Sequence, residues 1–294
     1  MERIIDDYLD YMKNEKNLTE NTLDAYIRDI LQFNKYLNKN PGKAYEEINK
    51  TTVITYLTNL QRAGRASSTI SRNLASIRCF FQYLLNNKLI DEDPTLNLKT
   101  PRTEKKMPSI LTEEEVELLL SQPKHDSFKG SRDKAMLELL YATGLRVSEI
   151  ISIDIADIDI ELGILKVKDE KEDRFIPVGT MAINSLDIYL EEYRSNYIEL
   201  LDSPLFVNYR GNRLTRQGFW KIIKNYTEKT NINKKITPNT LRHSFAVHLI
   251  ENGANIKTVQ ELLGHSDLST TQIYSFANDD KKLREVYKTS HPRA

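Results

Sequence analysis

Ile158-Asp159-Ile160-Glu161-Leu162-Gly163-Ile164-Leu165-Lys166-Val167-Lys168-Asp169-Glu170-Lys171-Glu172-Asp173-Arg174-Phe175-Ile176-Pro177-Val178 interrupts a helical pattern that holds along most of the chain. Apolar and polar residues alternate here with a period of two, in three short runs: Ile158 to Ile160, Gly163 to Lys168 and Arg174 to Val178. Such alternation fits short strands with one face on a core, joined by charged turns into a small antiparallel sheet. On the second strand Lys166 and Lys168 fall opposite Leu165 and Val167, off the core.

Outward from this stretch the periodicity is helical. Ile4, Ile5, Tyr8, Leu9 and Met12 form one stripe. Thr19 can cap a helix bearing Leu23, Tyr26, Ile27, Ile30 and Leu31, Thr52 opens a third, and Ser68 opens a fourth with Ile70, Leu74, Ile77, Phe81 and Leu84 inward. Four helices without a strand predict a small bundle over residues 1–96. Residues 97–108 are polar, basic and punctuated by Pro101 and Pro108, the composition of a flexible linker. A mixed domain over 109–294 follows. There Thr112-Glu113-Glu114-Glu115 is a capping box, a helix from about Arg132 ends at Gly144, Thr237-Pro238 opens another, and Gly264 closes the next. Leu205-Phe206-Val207 is a short apolar segment between helices. The expected fold class is mostly α with a small antiparallel β-sheet (α+β).

Composition narrows the function. The 294 residues are 39% hydrophobic, enough for a core in each domain, and 29% charged. No run approaches the ~18 apolar residues of a membrane span, the first residues are acidic and not signal-like, and a single cysteine, Cys79, excludes an internal disulfide and a Cys-based zinc site. These features point to the cytoplasm. Net charge is zero, with 42 basic and 42 acidic side chains, but the signs are segregated. Ile48 to Ile90 holds no acid and carries Arg62, Arg65, Arg72 and Arg78; Ser203 to Ile250 holds one acid and carries Arg210, Arg213, Arg216 and Arg242 among others. Two basic stretches imply a polyanion-binding face, with Arg65, Arg72, Arg78, Arg213 and Arg216 as candidate contacts (to DNA, if the polyanion is nucleic acid); ordinary solvated helix faces are the alternative.

Metal and nucleotide chemistry find no motif. His243 and His248 are five apart, not at the ligand-forming spacing of four, and read as structural; no Walker loop or GxGxxG occurs. What remains is a group of residues beside helix ends: Arg146 after the stop at Gly144, Asn239 and Arg242 near a helix N-terminus, His265 after Gly264, and Tyr274 nine residues on. Two guanidinium groups can bind non-bridging phosphate oxygens while a phenol attacks phosphorus, so these residues could cleave a phosphodiester without a metal.

In order along the chain, Ala142-Thr143-Gly144-Leu145-Arg146-Val147-Ser148-Glu149, Leu241-Arg242-His243-Ser244-Phe245-Ala246-Val247-His248-Leu249 and Leu262-Leu263-Gly264-His265-Ser266-Asp267-Leu268-Ser269-Thr270-Thr271-Gln272-Ile273-Tyr274 resemble the arginine boxes and nucleophile box of the tyrosine recombinase (phage-integrase) family, in its Xer-type form. Asn21-Thr22-Leu23-Asp24-Ala25-Tyr26 and His291-Pro292-Arg293-Ala294 extend the resemblance over the whole chain. It implies a helical core-binding (SAM-like) domain and a catalytic domain forming a C-shaped clamp on duplex DNA. By motif position Tyr274 is the nucleophile of a 3′-phosphotyrosyl intermediate, Arg146 and Arg242 clamp the scissile phosphate, and His265 hydrogen-bonds it. It further implies no metal and no ATP, a homo- or heterotetramer on synapsed DNA, an activating DNA translocase, no membrane partner, and chromosome dimer resolution at cell division. A mobile-element integrase or inversion enzyme, and a catalytically weak DNA-bridging paralogue, are the alternatives.

Two positions depart from the family. Its second box begins with His or Lys three residues before the arginine, where this chain has Asn239. Asparagine can still support the phosphate but cannot accept a proton at neutral pH. The family's general-acid lysine lies in a Gly-Lys-Gly hairpin between the second and third strands, whereas this hairpin reads Lys168-Asp169-Glu170-Lys171. Lys168 is the first expectation for that lysine and Lys171 the second.

Overall fold

Four amphipathic helices build the first unit: α1 (Glu2–Asn14), α2 (Glu20–Asn38), α3 (Lys50–Arg62) and α4 (Ser67–Asn86). The computed structural model describes residues 2–14, 18, 20–39, 45–100, 108–169, 173–195, 203–264 and 291–292. The chain divides into two compact units, Met1–Lys106 and Met107–Ala294. In the first, Tyr8 meets Phe80 at 5.0 Å between ring centroids, and Phe33 meets Tyr56 and Phe81 at 5.0 and 6.2 Å. Edge-to-face packing of this kind adds to the gain from burying large rings.

Helix starts differ by a residue or two from the sequence expectation. Asn49, not Thr52, caps α3, and its side chain accepts from the Thr52 backbone N–H. Asparagine is among the strongest caps, and here it precedes the threonine. Helix α4 starts at Ser67, a residue before the expected Ser68. The packing also continues beyond residue 96. Leu98 is buried in the bundle core and its carbonyl accepts from Arg78, so the start of the expected linker belongs to this unit.

In the second unit, Thr112 caps α5 (Glu113–Leu120) with the expected reciprocal box. The central helix α6 (Phe128–Thr143) starts earlier than expected, because Ser127 caps it. Nearly every residue of α6 is buried, including Arg132, Asp133 and Glu138, so it has no polar face to mark its beginning in the sequence. It packs against α8 (Thr180–Ile188) and α10 (Pro238–Glu251). Helix α7 (Val147–Ser152) leads to the sheet: β1 (Ile158–Asp159), β2 (Ile164–Val167) and β3 (Arg174–Pro177), in order β1-β2-β3 and antiparallel. Leu165 and Val167 face the core and Lys166 lies opposite, as the alternation predicts. Helix α8 runs on into a wider π turn at Tyr189–Arg194. Leu205, Phe206 and Val207 are buried, and α9 (Arg216–Thr227) and α11 (Ile256–Leu263) complete the unit. Among the described residues, no helix is long and apolar enough to cross a membrane.

Candidate active site

The chain turns sharply where α6 ends. Gly144 adopts the left-handed conformation (φ 60°), and a Cβ there would fall 2.4 Å from the Phe245 ring and 2.9 Å from Leu263. Only glycine lets the end of α6 lie directly on α10 and α11. Arg146 follows as the residue before α7, and Glu149 stands in the first turn of that helix. The Arg146 backbone N–H donates to Glu149 Oε2 at 2.6 Å and its Nη1 donates to Oε1 at 2.8 Å, while Nη2 reaches the Gly264 carbonyl at 2.9 Å.

Arg242 arrives from α10. It is buried, and it donates from Nη1 to the Gly144 carbonyl (2.6 Å) and from Nη2 to the Leu263 carbonyl (2.7 Å). Its Nη1 stands 3.8 Å from Glu149 Oε2. A third arginine, Arg174, enters from β3 with Nη2 3.0 Å from Glu149 Oε1. Thus Arg146, Arg174 and Arg242 surround one carboxylate, just below the end of α11 at Gly264. Burial pushes the Glu149 carboxyl up, but the Arg146 N–H and the charges of Arg174 and Arg146 outweigh it, and the net shift is down. Glu149 is therefore ionised at neutral pH, and among the described residues three cations against Glu149 and the more distant Asp169, 3.9 Å from Arg174, leave a positive excess suited to a phosphate.

Asn239 lies in the first turn of α10, after the Thr237 cap and Pro238, exposed and three residues before Arg242. His243 is half-buried, and burial together with the Arg242 charge pushes its imidazole down. His248 is structural as expected, held between the Tyr141 hydroxyl (2.8 Å) and the Leu111 carbonyl (2.9 Å). Lys171, His265 and Tyr274 lie outside the described residues.

Lys168 is held by carboxylates other than Glu149. Its ammonium pairs with Asp157 at 3.0 Å and Asp154 at 3.4 Å, and the bond to Asp157 raises its pKa. Asp154 also holds Arg213, whose Nη1 donates to the carbonyls of Ile151 (2.8 Å) and Ile153 (3.1 Å). Arg213 thus closes the end of α7. Arg72 grips the buried Asp29 with two bonds, at 2.9 and 3.0 Å, and Arg78 holds the Leu98 carbonyl. Three of the five candidate DNA contacts are therefore committed within the fold. Arg65 and Arg216 are exposed and make no side-chain hydrogen bond or ion pair with the described residues.

Two residues of the group carried a signal the sequence reading did not use. Glu149 follows Arg146 by three, the spacing that lets a first-turn carboxylate reach back to the helix entry. Arg174 is two residues from Ile176 on a short strand, so alternation turns it inward with Ile176 while Phe175 is exposed.

Comparison with known proteins gives the following. Residues 109–281 match the phage integrase family, and residues 5–88 match the phage integrase N-terminal SAM-like domain. The tyrosine recombinase XerD of Staphylococcus haemolyticus (strain JCSC1435) is 44% identical over 297 residues, covering 100% of both chains. The XerD of Oceanobacillus iheyensis is 43% identical over 299 residues, again covering 100% of both. Among solved structures, a XerA recombinase is 28% identical over 100% of this chain and 99% of its own, with a TM-score of 0.53. A XerH site-specific recombinase bound to a palindromic difH substrate, in a post-cleavage complex, shares the fold with a TM-score of 0.73 at 21% identity, covering 86% of this chain and 75% of its own.

Proposed function

Since the chain belongs to the phage integrase family and is a site-specific tyrosine recombinase that cleaves and rejoins DNA, we propose that it resolves chromosome dimers at cell division. The observation that carries the chemistry is the convergence of Arg146 and Arg242 on Glu149 and on the carbonyls of Gly144, Leu263 and Gly264. That arrangement fixes two guanidinium groups beside the residue that precedes His265.

In this reading the Tyr274 oxygen attacks the scissile phosphorus, the bond to the 5′-oxygen breaks, and a 3′-phosphotyrosyl link and a 5′-hydroxyl result. A free phenol with a pKa near 10 is only about 0.1% ionised at pH 7, a deficit of roughly 4 kcal/mol. Transferring its proton as the bond forms, beside fixed cations, offsets that deficit. The link retains the energy of the phosphodiester, so rejoining needs no ATP, and arginines in place of a metal neutralise the phosphate. The leaving 5′-oxygen takes its proton from the hairpin between β2 and β3. Lys168 would first have to exchange Asp157 and Asp154 for the DNA; Lys171 is the second lysine of the same turn. The enzyme acts in the cytoplasm on the nucleoid, as a homo- or heterotetramer on two synapsed duplex sites, under an activating DNA translocase.

Asn239 is the position at which this chain sets its rate. Without an imidazole three residues before Arg242, the Tyr274 proton leaves through water, His265 or a substrate oxygen. General base assistance is typically worth 10²–10⁴-fold. Asn239→His is expected to raise the single-turnover rate of adduct formation within that range, with DNA affinity unchanged. No acceleration anywhere between pH 6 and 9 would show that proton removal there is not limiting.

DNA affinity should follow exposure rather than charge count. Arg65→Ala and Arg216→Ala should each lower the slope of log affinity against log salt by about 0.9, the value for one lost phosphate contact. Arg78→Ala and Arg213→Ala should leave the slope unchanged, because those side chains hold backbone carbonyls. Wild-type slopes for Arg65→Ala and Arg216→Ala would separate the basic stretches from DNA binding.

The cellular role is tested by crosslinking the protein to DNA in its host and recovering the bound fragments. Enrichment at a single chromosomal site supports dimer resolution; enrichment at the ends of a mobile element overturns it.

A further inference from the structure

β3 carries an arginine to the site from the sheet side. Arg174 pairs with Val167 across the β2–β3 ladder, and its three guanidinium nitrogens are buried and, among the described residues, meet an ion-pair partner but no well-aligned hydrogen-bond acceptor. A buried cation is costly unless its charge is answered. Glu149 Oε1 lies 3.0 Å from Nη2, and Asp169 Oδ2 lies 3.9 Å from Nη1. Gly264 makes room for it: a Cβ there would fall 2.6 Å from Nη1 and 2.9 Å from Cζ. Arg242 uses its donors on the carbonyls of Gly144 and Leu263, whereas Arg174 closes no helix end. Among the described residues, its nearest charged group is the carboxylate that orients Arg146.

We propose that Arg174 is a positioning residue of the cleavage reaction: it seats Glu149 from the sheet side, and Glu149 in turn holds Arg146 and Arg242 at the scissile phosphate. This rests on the phosphate-clamp reading given above. The two carboxylate oxygens are divided accordingly. Oε1 receives Arg146 Nη1 and faces Arg174, while Oε2 receives the Arg146 backbone N–H and faces Arg242. The Arg146 side chain is 42% exposed, so its orientation depends on these bonds and on the one to Gly264. Among the described residues, the charged groups around Glu149 are Arg146 from the turn before α7, Arg174 from β3 and Arg242 from α10. Asp169 faces Arg174, and His243 lies beside Arg242 with its imidazole pushed down. Removing Arg174 takes away one of the cations that oppose the upward pull of burial on Glu149. The carboxyl then takes up a proton at a higher pH, and the seat of Arg146 is lost on the acid side.

The test is single-turnover adduct formation on a nicked duplex site by the full chain and by R174A, R174K, E149Q and R174A/E149Q, from pH 5 to 9. DNA affinity and melting temperature are measured alongside. R174A should slow cleavage about 10²-fold, the typical cost of misplacing a reacting group by an ångström, with affinity within several-fold of wild type. Its acid limb should move to higher pH, R174K should recover part of the rate, and R174A should add little to E149Q. Multiplying losses in the double variant, or an unmoved pH profile, would overturn the proposal. Should R174A fail to fold, R174K carries the test: its smaller loss must also vanish in the E149Q background. Failure of the wild type to form any adduct would refute the clamp reading itself, a result distinct from a fast R174A.

Discussion

Tyr274→Phe is expected to abolish the covalent protein–DNA adduct and to leave DNA binding at the wild-type level. The substitution keeps the ring and removes only the oxygen that attacks phosphorus, so nothing that holds the DNA backbone changes. Other groups cannot substitute for that oxygen, because the arginines around Glu149 are donors with no lone pair to offer. The effect should therefore be a loss of adduct to background, not a slowing. The assay is a denaturing gel of protein incubated with a nicked duplex site, in which cleavage traps the covalent species. Adduct formed by the phenylalanine variant would place the nucleophile elsewhere.

Arg146→Ala and Arg242→Ala are expected to slow cleavage by roughly 10³-fold or more, about 4 kcal/mol of transition-state stabilisation, with DNA affinity within several-fold of wild type. Affinity should survive because the chain carries 42 basic side chains and each single phosphate contact contributes a small share. The two variants differ in what else they lose. The Arg146 side chain is partly exposed and bonds to Glu149 and the Gly264 carbonyl, so its removal leaves groups that water can reach. Arg242 is 6% exposed and satisfies the Gly144 and Leu263 carbonyls, so alanine there also orphans two buried acceptors. Arg242→Ala should accordingly lower stability by about 1–3 kcal/mol in addition, visible as a lower melting temperature. Equal losses of binding and cleavage in both variants would make these arginines ordinary phosphate anchors.

The sequence carried the architecture because the signals that specify it are local. A period of two in a helical chain located β1 to β3, and Thr112, Thr237, Gly144 and Gly264 marked helix ends by chemistry that depends on one or a few neighbours. The start of α6 was missed for a physical reason: a helix buried on all sides has no amphipathic stripe, so its first turn is indistinguishable from the preceding segment. Charge was the least legible property. Arg72, Arg78 and Arg213 look like surface cations in sequence, yet each is tied to a partner 20 to 62 residues away. The same holds for Lys168, whose strand register was right and whose pairing with Asp154 and Asp157 depends on how β2 meets the residues after α7. Box motifs singled out Arg146 and Arg242; that Glu149 lies against both, with Arg174 against Glu149 from the sheet, follows only from three elements meeting at one point.

The central claim is that phosphodiester cleavage passes through a covalent bond to one tyrosine, set beside the Arg146–Arg242 pair. The most direct measurement is mass spectrometry of the protease-digested adduct formed on a nicked duplex site, which identifies the modified residue and the end of the DNA it carries. The account predicts a single modified peptide, with Tyr274 joined to a 3′-phosphate and a free 5′-hydroxyl on the other strand end. A nucleotide on any other of the 15 tyrosines, or a 5′-phosphate linkage, would contradict it.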